Sequence, residues 1–177
     1  MKWSEAKREL RAMEKDELVQ LLKRLFDLNP ENRSFLEAKL SPCGDHSMDY
    51  YKREIAAAVN PDMDSPIEMK RGRKAIASYK KAAPDDLWGR GELMVYFVEQ
   101  GADFPLDYGD IDGPFYTSLC RMIDSILEVA DQLSSKEYSH LAQRFEALDA
   151  ATANKIGWGF SDHITDAKCV LLSRLEQ

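Results

Sequence analysis

The side chains best suited to binding or catalysis fall in two loops, 107–116 and 157–163, which combine acidic, aromatic and glycine residues. Glycine permits φ values above zero, and aromatic rings in loops can line a pocket. The second loop also sets a histidine beside a carboxylate, an arrangement capable of acid–base chemistry. One predicted alternative function is therefore an enzyme or small-ligand binder whose pocket is formed by both loops. The candidate ligand-binding residues are Tyr108, Asp110, Tyr116, Trp158, Asp162 and His163.

Three acids close together in the first loop raise the question of a metal site. Asp107, Asp110 and Asp112 lie within six residues, and closely spaced carboxylates can bind Ca²⁺ or Mg²⁺. The EF-hand pattern fails, because Tyr108 and Leu119 stand where its first carboxylate and its bidentate glutamate belong. Asp112 is instead suited to cap the helix that follows it.

Other metal and catalytic patterns are incomplete. Cys43 and His46 could offer two ligands on a turn, but no second pair completes a tetrahedral site. The sequence has no HExxH, no GxSxG and no dinucleotide-binding glycine pattern. We therefore predict no metal, no cofactor and no catalytic residue.

A run of basic residues between 70 and 81 is the second candidate site. Since the net charge is −7 and this run carries six positive charges without an acid, the remainder carries −13. Such a run could contact a phosphate, RNA or an acidic protein, although no phosphate-loop pattern is present. The acidic balance argues against a nucleic-acid partner, since phosphate contacts favour a basic protein. The candidate anion-binding residues are Lys70, Arg71, Arg73, Lys74, Lys80 and Lys81.

The elements that must position these residues are helices, because apolar residues recur with a helical period almost throughout. The pattern predicts an all-α fold of about eight or nine helices, arranged as an irregular antiparallel bundle or a short αα-superhelix. The first helix is predicted to be capped by Ser4, the fifth to begin at Arg73 and the sixth to end at Gly101. Residues 102–113 are predicted as an acidic loop. Residues 1–177 are predicted as one domain, with an internal hinge or loop at 60–69.

Compartment is indicated by what the sequence lacks. The opening residues carry no secretory signal, and no stretch approaches ~20 apolar residues, so no membrane contact is expected. The three cysteines are odd in number and far apart, which favours reduced thiols and a cytoplasmic protein.

Five sequence blocks carry a resemblance to a known family. They are ELVQLLKRLFDLNPENRSFLEAKL (17–40), KAIASYKK (74–81), MVYFVEQG (94–101), YGDIDGPFYTSL (108–119) and IGWGF (156–160) with Asp162. In this order they resemble a family of small, all-helical, mostly bacterial proteins classed as a domain of unknown function. The 60–69 loop departs from that family's Gly-rich, basic connection. The resemblance implies one helical domain and brings no established activity or catalytic residue.

The main functional prediction is a cytosolic, non-catalytic protein-interaction module. It rests on abundant helix, segregated charge and the lack of a coherent catalytic constellation. The expected partner surface is a groove between helices with residues 70–81 on one rim. The sequence leaves the partner and the oligomeric state open.

Overall fold

The computed structural model describes residues 1–40 and 45–175. In this part the chain is all-α, with nine helices and no strand, as the sequence predicts. The predicted turn at 41–44 lies outside the described residues. The helices are α1 (Trp3–Ala12), α2 (Lys15–Leu28), α3 (Pro30–Leu40), α4 (Asp45–Val59), α5 (Met69–Ala82), α6 (Leu87–Tyr108), α7 (Gly113–Ala130), α8 (Ser135–Thr152) and α9 (Phe160–Leu175).

The core is organised around α6, which packs against α4, α5, α7 and α8. Leu93, Phe97 and Val98 of α6 are fully buried, as burial of an apolar helix face requires. Helix α9 closes the far side by packing against α7 and α8. The α5 and α7 helices thus both pack on α6, although 30 residues of sequence separate the end of α5 from the start of α7.

Two predicted helix starts are confirmed. The Asp112 side chain accepts a hydrogen bond from the Phe115 N–H at 2.9 Å and caps α7. Ser134 and Glu137 form a capping box at α8, with the Ser134 N–H donating to Glu137 at 2.9 Å. These contacts satisfy N–H groups that have no partner within a helix.

The predicted end of the sixth helix is wrong. Helix α6 continues through Gly101 and Pro105 to Tyr108, so the first half of the predicted 102–113 loop is helical. Gly101 is a site of close helix contact, because a Cβ there would lie 2.3 Å from Leu119 Cδ2 on α7. A glycine that makes room for a neighbouring helix gives the same sequence signal as a glycine that ends one.

Two predicted helix starts are also wrong. Helix α5 begins at Met69 rather than Arg73, so the whole basic run is helical. Helix α1 begins at Trp3, which puts Ser4 inside the helix instead of at the cap.

Helices α1 and α2, both within the described range, form an amphipathic arm with no buried residue (residues 3–28). The main packing contact of α2 is with α3, which connects the arm to α4 and α5. None of the described helices combines the length and apolar character that crossing a bilayer requires.

Candidate functional site

Asp110, Tyr116 and Trp158 form a hydrogen-bonded cluster that joins the two predicted loops. The Trp158 Nε1–H donates to Asp110 Oδ2 at 2.8 Å, and the Tyr116 hydroxyl donates to Asp110 Oδ1. The rings of Tyr116 and Trp158 stack with centroids 6.5 Å apart and planes at 20°. The structure thus brings together three of the six predicted pocket residues.

The cluster favours a charged carboxylate beside a neutral phenol. Burial and the bond to Asp110 raise the pKa of Tyr116 to about 12. The hydrogen bonds from Tyr116 and Trp158 lower the pKa of Asp110. Both carboxylate oxygens of Asp110 already accept a hydrogen bond, one from Tyr116 and one from Trp158. Asp110 therefore connects the loop before α7 to the loop before α9.

The backbone around Trp158 has a conformation that the cluster must maintain. Trp158 has a φ of 58° and Gly159 a φ of 71°, so two successive residues lie in the left-handed region. This region is unfavourable for a side chain as bulky as tryptophan. The indole ring lies over Gly113, whose added Cβ would lie 3.4 Å from it.

The other three predicted pocket residues make contacts elsewhere. Tyr108 ends α6 and its ring lies 4.9 Å from that of Phe104. The His163 Nε2 lies 2.8 Å from Asp124 Oδ1 of α7. Asp162 is exposed in the first turn of α9. Within the described residues none of the three hydrogen-bonds to the Asp110 cluster, and the two-loop pocket stays a prediction.

The six predicted anion-binding residues do not share one environment. Arg71 pairs with Glu54 at 3.0 Å and Glu68 at 3.4 Å, and its hydrogen bond to Glu54 raises its pKa. Lys74 lies 3.6 Å from Glu31. These two cations are therefore neutralised locally. The remaining four have no carboxylate partner in the described part of the chain: Lys70, Arg73, Lys80 and Lys81.

Arg73 instead bridges two helices. Its guanidinium donates to the Ser118 hydroxyl of α7, a contact between residues 45 apart in sequence. It forms one wall of a groove of about 740 Å³ between α5 and α7, and seven residues of α7 form the other. We call this the α5–α7 groove. Its lining residues are Arg73, Gly113, Pro114, Thr117, Ser118, Arg121, Met122 and Ser125.

The contribution of α7 to this groove was missed by sequence reasoning. Thr117, Ser118, Arg121 and Ser125 recur at helical spacing and so share one face of α7. That spacing was a signal in the sequence. The position of Arg73 opposite this face depends on how α5 and α7 pack on α6, which helical spacing does not encode.

The exposed apolar side chains are concentrated near the amphipathic arm. Of the fourteen large apolar residues that are exposed in the described chain, nine lie in residues 1–40. On α2 the exposed fractions are 52% for Val19, 48% for Leu22, 42% for Leu25 and 70% for Leu28. A set of leucines this exposed is unusual for a surface that contacts only water.

Metal ligation has no support among the described residues, where no group of three or more His, Cys, Asp or Glu side chains is placed to hold an ion. The candidate pair Cys43 and His46 cannot be described, since Cys43 and the side chain of His46 lie outside the described part. Cys120 and Cys169 are free thiols.

Comparison with protein-family models, curated proteins and solved structures finds no match for this chain. The resemblance to an uncharacterised helical family therefore stays a prediction. The functional argument rests on the surfaces described above.

Proposed function

We propose that this chain is a cytoplasmic, non-catalytic protein-interaction module that docks through its amphipathic arm, with a second copy of the chain as partner. The observation that carries the proposal is the exposed stripe of Leu22, Leu25 and Leu28 on α2. Helices that dock against a partner present apolar residues at helical spacing on one face.

The energetics favour covering this stripe. Fully burying a leucine is worth about 1.5–3 kcal/mol, so each half-exposed leucine of α2 stands to gain about 1 kcal/mol. The core of the same chain buries Leu93 and Leu119 completely. Because the arm contains no buried residue, the gain from covering it requires a surface outside the chain.

Charge favours a second copy in antiparallel orientation. Glu17 and Arg24 are seven residues apart and so lie along the same edge of the α2 stripe. The Glu17 carboxylate accepts the Glu14 N–H at 2.9 Å, which holds it at the start of the helix. In an antiparallel pair related by a two-fold axis, each Glu17 would face the other copy's Arg24. Parallel pairing would not bring Glu17 and Arg24 together, because the matching edges of the two helices then lie on opposite flanks of the pair.

The test measures mass in solution by sedimentation velocity between about 1 and 100 μM, a range that covers modest dimer affinities. We expect a dimer for the natural chain and at least a roughly tenfold weaker one for Leu25→Glu, because the charge must be buried in the interface. Gln20→Glu is the matched control, since it adds the same charge on the polar face of α2. It should leave the dimer intact.

Orientation is tested by a second matched pair. Arg24→Glu should weaken the dimer, because it sets two acids together, whereas Lys23→Glu on the polar face should not. Unchanged helical circular dichroism shows that each variant is folded. A natural chain that stays monomeric at 100 μM, or a dimer that Leu25→Glu leaves unaffected, contradicts the proposal.

A further inference from the structure

The α5–α7 groove has the donors of an anion site. Arg73 and Arg121 both line it, together with the hydroxyl groups of Thr117, Ser118 and Ser125. We propose that the groove binds a small organic phosphate, with the phosphate group between the two guanidinium groups. This inference uses no residue of the amphipathic arm and is independent of the proposed dimer.

The charge of the groove differs from that of the protein as a whole. The chain has 31 acidic residues against 24 lysines and arginines, yet no carboxylate lines this groove. In the described part of the chain neither Arg73 nor Arg121 has a carboxylate partner. Arg73 donates one N–H to Ser118, and a guanidinium has five N–H groups. Both arginines therefore keep donors for an added anion.

The polar face of α7 adds one available hydroxyl donor, that of Ser118, to the two guanidinium groups. Thr117, Ser118, Arg121 and Ser125 share one face of α7, so a row of hydroxyls lies along the groove beside Arg121. A phosphate group offers three oxygens and up to two negative charges, and guanidinium groups bind such oxygens in pairs. The Ser118 hydroxyl accepts from Arg73 and keeps its own O–H for a further phosphate oxygen, whereas the Thr117 and Ser125 hydroxyls donate to the Gly113 and Arg121 carbonyls. A carboxylate, with two oxygens, would leave more of these donors unused.

An apolar cavity that adjoins the groove favours an organic phosphate over the free ion. Next to Arg73 a second cavity of about 530 Å³ is lined by Ile67, Met69, Pro114 and Phe115 among others. Its two acids are already engaged, since Glu68 lies 3.4 Å from Arg71 and Asp112 caps α7. The two cavities share Arg73, Pro114 and Ser118, so they adjoin each other. Both volumes lie in the range of small-ligand sites.

The test uses inorganic phosphate and phenyl phosphate as probes, with binding followed by calorimetry and by the Nε–H signals of the arginine side chains in NMR. We expect both to bind and phenyl phosphate to bind about tenfold more tightly, because its ring covers apolar surface. Arg73→Gln and Arg121→Gln should each weaken phenyl phosphate binding by about tenfold. Arg53→Gln is the matched control, since Arg53 is exposed on α4 and lines neither cavity, and it should change nothing.

Three outcomes would overturn the proposal. One is no measurable binding of phenyl phosphate at millimolar concentration by folded protein. Another is binding that survives Arg73→Gln and Arg121→Gln together. A third is tighter binding of a single-stranded RNA oligomer than of phenyl phosphate, which would assign the groove to nucleic acid. Equal affinity for the two probes would refute the role of the adjoining apolar cavity.

Discussion

The indole N–H of Trp158 donates to the Asp110 carboxylate across 48 positions of sequence, and the contact joins the loops that precede α7 and α9. The same carboxylate accepts the Tyr116 hydroxyl, whose ring stacks on the indole. Each of the three side chains therefore holds the other two.

Trp158→Phe tests this arrangement, because it keeps a smaller aromatic ring and removes the N–H donor. We expect the pKa of Asp110 to rise towards its ordinary value, since one of the two hydrogen bonds that favour the charged form is lost. The carboxyl carbon of Asp110 can be titrated by NMR in both proteins. Trp88→Phe serves as the control, because Trp88 lies beside His140 and away from this cluster. An Asp110 pKa that Trp158→Phe leaves unchanged would refute the stated cause.

A pair of glycines on α6 tests whether helix contact explains Gly101. Gly101→Ala should cost about 1–3 kcal/mol of unfolding free energy, because the new Cβ would meet the buried side chain of Leu119. Gly91→Ala should instead be neutral or stabilising by about 0.5–1 kcal/mol, since its Cβ would lie 3.9 Å from Val129 Cγ1. Urea denaturation measures both. Equal changes in unfolding free energy at the two positions would show that the α6–α7 contact does not determine the effect of the added Cβ.

The partly buried ion network between α4, α6 and α8 gives a third test. Arg144 of α8 donates to Glu92 and binds both oxygens of Glu99, at 2.7 and 2.5 Å. Arg144→Met should cost about 2–3 kcal/mol, because both carboxylates then stay partly buried without this partner. Arg53→Met is the control, and its exposed side chain should change stability by no more than about 0.5 kcal/mol.

The same network predicts a pH dependence. Burial alone would raise the pKa of Glu92, but the hydrogen bond from Lys52 and the charge of Arg144 outweigh it and lower the pKa below 4.5. The stabilisation from Glu92 is therefore complete above pH 4.5 and is lost as the pH falls through the lowered value. Arg144→Met should reduce this acid sensitivity. An identical loss of unfolding free energy below pH 4.5 in both proteins would contradict it.

Helical spacing made most of the fold predictable. The apolar stripe of α7 and the caps at Asp112 and Ser134 are local features, and the structure contains them as expected. The end of α6 was not predictable in the same way. Gly101 and Pro105 favour a helix end locally, whereas the close approach of Leu119 to Gly101 depends on how α7 packs against α6.

In the candidate sites too, the sequence indicates the residue types, whereas the contacts depend on packing. The residue types of the Asp110 cluster could be chosen from glycine and aromatic content, but which of them touch depends on how α7 and α9 pack. Arg73 was recognisable as part of a basic run. Its partner Ser118 lies 45 residues away and has no sequence feature that links it to α5.

Helices α1 and α2, both fully described, contain no buried side chain. The residues that form the arm are therefore different from the residues that form the packed core. Substitutions in residues 3–28 remove no buried side chain, so we expect them to change the proposed docking surface while the core around α6 stays folded.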